Sequence, residues 1–251
     1  MPIVLFTDFG AADLYVGQVK AVLAARAPGA RVYDALHDAP AFGIEPSAHL
    51  LAALAGRYPR GSVFMAVVDP GVGGARGALV IDADGRSFVG PDNGLLAVVW
   101  GRAAKRRCRS VRWRPDALSM SFHGRDLFAP VAAALAARRV PRLWLTRQVA
   151  PEITLPAGDL ARVIYVDHYG NAMTGLRAAG ISPNARLRVG RRLLPRAASF
   201  VYAAPKTPFW YENSLGLIEI AANQASAARL LGLRVGTPVG PARGGRPTTR
   251  S

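Results

Sequence analysis

Short apolar runs alternate with amphipathic segments in the first part of the chain, and this alternation leaves few possible folds. Residues 2–6 and 63–68 are continuous apolar runs of strand length, which is typical of strands buried on both faces of a sheet. Residues 13–26 and 46–56 have the apolar spacing of helices, and Pro46 suits the first turn of the second one. Strands that alternate with helices predict a layered α/β domain with a mainly parallel sheet.

Further elements extend this first domain. Residues 79–89 predict a hairpin around Asp84-Gly85, because two β-rich runs flank a turn dipeptide. Residues 93–100 and 124–138 have helical spacing. We therefore assign residues 1–150 to an N-terminal α/β domain.

The pattern changes near residue 150. Residues 151–160 contain two prolines and a glycine and are predicted to be a linker. Beyond them, short β-rich runs predict a smaller domain over residues 161–237, with one helix at 224–231 that Asn223 can cap. The predicted strands of this domain lie at residues 162–167, 185–189, 198–202, 208–211 and 217–221. Residues 238–251 are predicted to be a disordered tail.

The formal charge of +16 raises the question of nucleic-acid binding. Only three of the 32 basic residues are lysines, and the arginines are dispersed except at residues 102–112, which we interpret as a solvated connection. No apolar run is long enough to span a membrane, and no signal peptide is recognisable. Cys108 is the only cysteine, which excludes a disulfide framework and a multi-cysteine metal site. The composition predicts a cytoplasmic enzyme that binds neither nucleic acid nor membrane.

Several common catalytic signatures are absent. Residues 71–76 are glycine-rich, but Arg76 stands where a dinucleotide fingerprint needs its third glycine. No Gly-Lys-Ser/Thr phosphate loop and no Gly-x-Ser-x-Gly elbow occur. The four histidines form no His-x-x-x-His pair, so the sequence contains no zinc signature.

Polar residues do concentrate where predicted strands end, which is where open α/β sheets bind ligands. Asp8 follows the first strand, Asp69 and Arg76 follow the strand at residues 63–68, and His123 precedes a predicted helix. Such side chains suit the activation of a small nucleophile: His123 could accept a proton, Arg76 favour an anion, and Asp69 hold the geometry. The simpler alternative is that the aspartates cap turns and Arg76 is an ordinary surface residue.

Six motifs together resemble those of S-adenosylmethionine (SAM) hydroxide adenosyltransferases, relatives of the fluorinating and chlorinating adenosyltransferases. In family order over residues 3–236, they are Thr7-Asp8-Phe9-Gly10, Val68-Asp69-Pro70-Gly71-Val72-Gly73, Pro91-Asp92-Asn93-Gly94-Leu95-Leu96, Phe122-His123-Gly124-Arg125-Asp126-Leu127-Phe128-Ala129-Pro130, Asp167-His168-Tyr169-Gly170-Asn171 and Asn213-Ser214-Leu215-Gly216. The resemblance implies an α/β domain, a C-terminal β-barrel-like domain, and a homotrimer. The site would lie between the N-terminal domain of one subunit and the C-terminal domain of the next.

The resemblance also implies a reaction and a role for each matching residue. Water attacks the ribose C5′ of SAM and releases adenosine and methionine, with no metal or cofactor. The residues implied to activate the water are Asp69, Arg76 and His123. Those implied to bind substrate are Asp8 (ribose hydroxyls), Phe42 (packing on the ligand), Asp167 (methionine amino group), Asn171 (adenine edge), Phe200 (packing on adenine), Asn213, and Ser214 (methionine carboxylate).

Alternatives stay open at this point. Phe42 and Phe200 could be core aromatics, and the second would then be an ordinary strand residue. Two other functions fit the same motifs: a halide-using adenosyltransferase, and a protein that binds SAM or adenosine without turnover.

Overall fold

The computed structural model describes residues 1–242. They form two compact units, one built from Met1–Ala157 and one that begins at Gly158. The boundary falls inside the segment predicted to be a linker, residues 151–160. Among the residues described, no helix is both long enough and apolar enough to cross a membrane.

Unit 1 contains one seven-stranded sheet. Its strands are β1 (Ile3–Thr7), β2 (Val32–Leu36), β3 (Val63–Val67), β4 (Ala78–Ala83), β5 (Arg86–Pro91), β6 (Arg106–Val111) and β7 (Leu145–Gln148). Their order across the sheet is β2-β1-β3-β5-β4-β6-β7. The first four strands in this order pair in parallel, and the remaining pairs are antiparallel.

The prediction of a mainly parallel sheet is thus correct only for β2, β1, β3 and β5. The hairpin at Asp84 and Gly85 reverses the chain, because a two-residue turn joins only antiparallel strands. The interpretation of residues 102–112 as a solvated connection was wrong, since β6 lies there and pairs with β4 and β7. Cys108 and Val111 are the buried positions of β6, and its arginines hid this spacing in the sequence.

Helices cover the sheet of unit 1. They are α1 (Leu14–Arg26), α2 (Ile44–Ala55), α3 (Ala97–Arg102) and α4 (Ala129–Ala136), and a π-helical turn (Gly124–Phe128) leads directly into α4. Ile3 and Leu5 of β1 share a core with α1 and α4, while Val4 and Phe6 are equally buried on the opposite face. Burial on both faces explains the continuous apolar runs. The carboxyl ends of β1 and β3 place the polar residues that follow them at one edge of the sheet.

Unit 2 contains two antiparallel sheets and one short helix. Its elements are β8 (Leu160–Val166), β9 (Ala172–Arg177), β10 (Leu187–Val189), β11 (Arg192–Leu194), β12 (Pro208–Glu212), β13 (Leu217–Ala222), α5 (Ala227–Leu231) and β14 (Val239–Pro241). The sheets have the orders β12-β13-β9-β8 and β11-β10-β14. Single bridges, Arg162 to Pro238 and Arg196 to Trp210, join them in place of a continuous ladder. The strands of residues 158–242 therefore form no closed barrel, which corrects the implied barrel-like domain.

Three local predictions for unit 2 need correction. Residues 198–202 are not a strand, because Phe200–Tyr202 form a 3₁₀ turn. The helix predicted from residue 224 begins at Ala227 and is capped by Ser226, whereas the side chain of Asn223 donates to the carbonyl of Ala203. The predicted tail starts too early, because β14 pairs with β10. The rest of that predicted tail, residues 243–251, lies outside the described residues.

Candidate active site

The structure brings Asp69, Arg76 and His123 into direct contact. Arg76 Nε donates to both carboxylate oxygens of Asp69, at 3.1 and 3.0 Å, and Arg76 Nη2 also contacts Asp69 Oδ2. The same Nη2 lies 2.9 Å from His123 Nδ1. The side chains of Asp69 and Arg76 are only 4% and 11% exposed. This is a buried, hydrogen-bonded cluster built from two segments of unit 1, the connection between β3 and β4 and the residues just before the π-helical turn.

The contact with Arg76 determines which nitrogen of His123 carries the proton. A guanidinium has only donors, so Nδ1 of His123 must accept, and neutral His123 then carries its proton on Nε2. Nε2 is buried and has no partner among residues 1–242. Burial, followed by the positive charge of Arg76, lowers the pKa of His123. His123 is therefore a neutral residue with an unused N–H donor.

A cavity of about 60 Å³ lies beside this cluster. Its lining residues are Asp8, Phe9, Val67, Asp69, Val72, Ser121, Phe122, His123 and Gly124. This volume has room for more than one water molecule, which needs at least about 10–15 Å³. The cavity combines two carboxylates, one histidine and apolar walls.

Two glycines allow the segments around the cavity to approach closely. Gly73 has a φ of 80° and lies against the backbone carbonyl of Met120, where a side chain would collide. A Cβ added to Gly124 would lie 2.7 Å from Cζ of Phe9. The first contact joins the segment between Asp69 and Arg76 to the segment that leads to His123.

Asp8 follows β1 and lines the same cavity. Its Oδ2 accepts a hydrogen bond of 3.3 Å from the backbone N–H of Phe42. Burial raises the pKa of Asp8, and the nearby charge of Asp69 acts in the same direction. Phe42 is not a core aromatic, since it is 75% exposed and has a positive φ of 61°.

The other predicted residues belong to unit 2. Asp167 accepts hydrogen bonds from the backbone N–H and the side-chain amide of Asn171, at 2.8 and 2.9 Å. Asn171 and Phe200 line a cavity of about 470 Å³, with Tyr169, Ala222, Gln224, Ala225, Ser226 and Arg229. The ring of Phe200 is half-buried and packs edge-on against Phe209 and Tyr211. An aromatic face and an amide in one recess suit a flat heterocycle.

The side chain of Asn213 makes several hydrogen bonds within unit 2. Its Oδ1 accepts from the backbone N–H groups of Leu215 and Leu217, and its Nδ2 donates to Glu219. Asn213 is buried and closes the turn between β12 and β13, so its side chain is used by the fold. Ser214, the next residue, is exposed.

The family follows from comparison of the whole chain with known proteins. The N-terminal domain profile of the SAM hydroxide adenosyltransferases matches residues 3–143, and the C-terminal domain profile matches residues 161–240. The chain belongs to the SAM hydroxide adenosyltransferase family. Both halves of this family's architecture are therefore represented in one chain.

The named relatives of this chain fall into two groups. The (R)-S-adenosyl-L-methionine hydrolase of Thermus thermophilus is 40% identical, over 95% of this chain and 98% of that protein. A hydrolase of the same name from Salinispora tropica is 37% identical, over 92% of this chain and 93% of that protein. The fluorinase of Actinopolyspora mzabensis is 28% identical, over 95% of this chain and 96% of that protein. A crystal structure of an uncharacterized conserved protein from Thermotoga maritima matches with a TM-score of 0.87 at 30% identity, over 96% of this chain and 100% of that chain.

Some motif residues of this chain serve the fold and do not line the cavity. Asp92 accepts backbone N–H groups of Glu152 and Ile153, and Asn93 donates to the carbonyl of Val68. Arg125 pairs with Asp126, which accepts from the backbone N–H of Ser119. These contacts hold the chain segments that surround the site.

Sequence reasoning missed other residues of the site. Phe9 and Ser121 line the small cavity, although neither was singled out. Phe9 follows Asp8 directly and Ser121 stands two residues before His123, so nearness in sequence to a predicted site residue could have identified both. Within residues 1–242, no group of three or more His, Cys, Asp or Glu side chains is placed to hold a metal ion.

Proposed function

We propose that this protein hydrolyses SAM to adenosine and methionine by attack of a water-derived oxygen on the ribose C5′. The observation that carries the proposal is the buried Asp69–Arg76–His123 cluster beside a small cavity that Asp8 also lines. The named relatives at 37–40% identity are SAM hydrolases, which supports the same reaction here.

Hydrogen-bond donation by the cluster favours hydroxide as the nucleophile. A water in the cavity loses its proton to solvent, and because Asp69 offsets the charge of Arg76, an N–H donor of the cluster stabilises the hydroxide that remains. The Nε2–H of His123 then donates to the hydroxide oxygen, which is an oxyanion-type contact. His123 thus acts as a donor and not as the proton acceptor that we expected from sequence, because Arg76 occupies its Nδ1.

The chemical step neutralises charge. The hydroxide oxygen forms a bond to C5′ while the C5′–S bond breaks, and the electron pair leaves with sulfur to give the neutral thioether of methionine. An anion and a sulfonium cation disappear together, so a dry site favours the reaction over one filled with water. The apolar walls of the cavity, among them Val67, Val72 and Phe122, supply that environment.

The remaining substrate contacts divide between the two units. Asp8 would bind the ribose diol, since a carboxylate accepts two hydroxyl donors well. The larger cavity of unit 2 would hold adenine against Phe200, with Asn171 at the edge of the base. Asp167 would bind the amino group of the methionine part, and Ser214 would bind its carboxylate.

Neither a metal nor a cofactor has a role in this proposal, so treatment with a chelator should leave activity unchanged.

We further propose a homotrimer in which unit 1 of one subunit and unit 2 of the next build each site. Two exposed apolar side chains lie next to lining residues of the small cavity. Phe42, whose backbone N–H donates to Asp8, is 75% exposed, and Met120, which precedes the lining residue Ser121, is 68% exposed. The proposed trimer would cover both with unit 2 of a neighbouring subunit. We place the reaction in the cytoplasm, a reducing compartment in which the unpaired Cys108 fits.

Mixed trimers test the shared site. Asp8→Ala disables unit 1 and Phe200→Ala disables unit 2, and each variant alone should have little activity. In randomly mixed trimers, about one quarter of the sites combine two intact halves, so co-expression should restore about a quarter of wild-type activity. Activity that stays at the level of the single variants would contradict a site shared between subunits.

Product analysis tests the reaction itself. The protein is incubated separately with the (R) and (S) sulfonium epimers of SAM, with and without added chloride or fluoride, and products are identified by mass. We expect adenosine and methionine, with preference for the (R) epimer that the relatives' names specify. A 5′-halo nucleoside would favour the halide-using alternative, and binding without any product would favour a binding protein.

A further inference from the structure

A chain of hydrogen bonds runs from the surface of unit 1 to the turn that carries Asp8. Lys20 Nζ donates to Asp34 Oδ2 at 2.5 Å, and Asp34 Oδ1 lies 3.0 Å from His37 Nε2. His37 Nδ1 lies 2.8 Å from Thr7 Oγ1, and Thr7 Oγ1 accepts from the backbone N–H of Phe9 at 3.4 Å. None of the hydrolytic chemistry described above uses Lys20, Asp34, His37 or Thr7.

The direction of each bond follows from the first acceptor. Although partial burial acts in the opposite sense, Lys20 and His37 keep the pKa of Asp34 low, so Asp34 is a carboxylate and a pure acceptor. His37 therefore donates from Nε2 and, when neutral, accepts at Nδ1. The Thr7 hydroxyl must then donate to His37, which leaves its lone pairs for the N–H of Phe9.

The chain of bonds ends on both sides of Asp8. Thr7 and Phe9 are its two neighbours, and the backbone N–H of Gly10 donates to the carbonyl of His37 at 2.8 Å. The backbone of Phe42, held at positive φ, donates to the Asp8 carboxylate itself. The segment that contains His37 and Phe42 thus fixes both the turn and the side chain of Asp8.

We infer that His37 is a positioning residue, which through Thr7 orients the Asp8 carboxylate toward the ribose diol. The inference rests on the proposed function, because it assumes that Asp8 binds that diol. His37 and Thr7 are 7% and 1% exposed, and neither lines the small cavity, so they act through Asp8 and not by touching substrate. Loss of their bond should weaken recognition of the diol specifically.

The test compares two ligands that differ only in the diol. Dissociation constants of adenosine and 2′,3′-dideoxyadenosine are measured by calorimetry on the full chain. Thr7→Val keeps the shape of the side chain and removes the hydroxyl. We expect it to weaken adenosine binding about tenfold, the scale of one lost hydrogen bond, and to leave dideoxyadenosine binding almost unchanged.

Control variants separate positioning from general destabilisation. Thr7→Ser keeps the hydroxyl and should retain the discrimination between the ligands. Ser62, the residue before β3, has a comparable buried hydroxyl that donates to the carbonyl of Pro59. Ser62→Ala removes this hydroxyl and should leave the ratio of the adenosine and dideoxyadenosine dissociation constants unchanged. If Thr7→Val does not fold, His37→Phe, which keeps a flat ring, is measured in the same way and should show the same loss.

The outcomes distinguish the inference from the function on which it rests. A Thr7→Val protein with the wild-type ratio of constants, or with a change equal to that of Ser62→Ala, overturns the positioning role. A wild-type protein that binds both nucleosides equally overturns the assignment of Asp8 to the diol, and with it this inference. The first result appears only in the variants and the second only in the wild type.

Discussion

Replacement of His123 by glutamine or by alanine distinguishes a hydrogen-bond donor from a general base. Glutamine offers an amide oxygen that can accept from Arg76 and an N–H that can donate to the nucleophile, which are the two functions that the geometry gives to His123. It cannot act as a base near neutral pH. Alanine supplies neither function and leaves an Arg76 donor without its partner.

The magnitude follows from the buried geometry. Nε2 of His123 is the unpartnered donor of the cluster, and removal of one preorganised donor costs about 10²–10³ in kcat. We therefore expect kcat of His123→Ala to be about 10²–10³ times lower than that of the wild type. The kcat of His123→Gln should be at least about ten times higher than that of His123→Ala. Adenosine binding should change little in either variant, because Asp8 and the unit 2 cavity are untouched.

The assay is steady-state formation of adenosine with saturating SAM, accompanied by calorimetric binding of adenosine to each variant. Equal kcat values for the glutamine and alanine variants would refute the donor role and restore the general base that the sequence suggested. A large loss of adenosine binding in both would show that His123 acts on the fold of the pocket instead.

Three further predictions concern the same site. Arg76→Met should lower the free energy of unfolding, measured in urea, by about 3–5 kcal/mol, because it leaves the buried Asp69 carboxylate unpaired. Adding Asp69→Asn to Arg76→Met should recover part of this loss, and strictly additive losses from the two substitutions would contradict the coupling. Asp8→Ala should weaken adenosine binding by about 2 kcal/mol in calorimetry, and an unchanged constant would remove Asp8 from the ribose site. Because the pKa of His123 is lowered in the fold, unfolding takes up a proton below the unfolded value of 6.5, so the free energy of unfolding should fall as pH decreases through that value. This part of the pH dependence should be absent in His123→Gln, and its persistence would count against a buried neutral His123.

The sequence predicted the elements with a strong hydrophobic period and missed those without one. β1, β3, α1 and α2 have continuous or helical apolar patterns and lie close to where they were expected. β6 was missed because arginines occupy three of its six positions and tertiary pairing, not propensity, makes it a strand.

Site chemistry was predictable as residue types but not as hydrogen bonds. Asp69 and Arg76 were predicted from their places after a strand, His123 from its place before a helix, and all three from the family resemblance; they do meet in space. The protonated nitrogen of His123 depends on which atom Arg76 contacts, and that requires coordinates. Asn213 illustrates the same limit, since only its contacts reveal that the turn before β13 uses its side chain.

Reaction in ¹⁸O-labelled water tests most directly that water attacks C5′. SAM is incubated with the protein, and the adenosine is fragmented in a mass spectrometer to locate the label. Attack by a water-derived oxygen predicts one ¹⁸O atom in the 5′-hydroxyl of adenosine and none in methionine. Adenosine without label, or label confined to methionine, would contradict the proposed reaction.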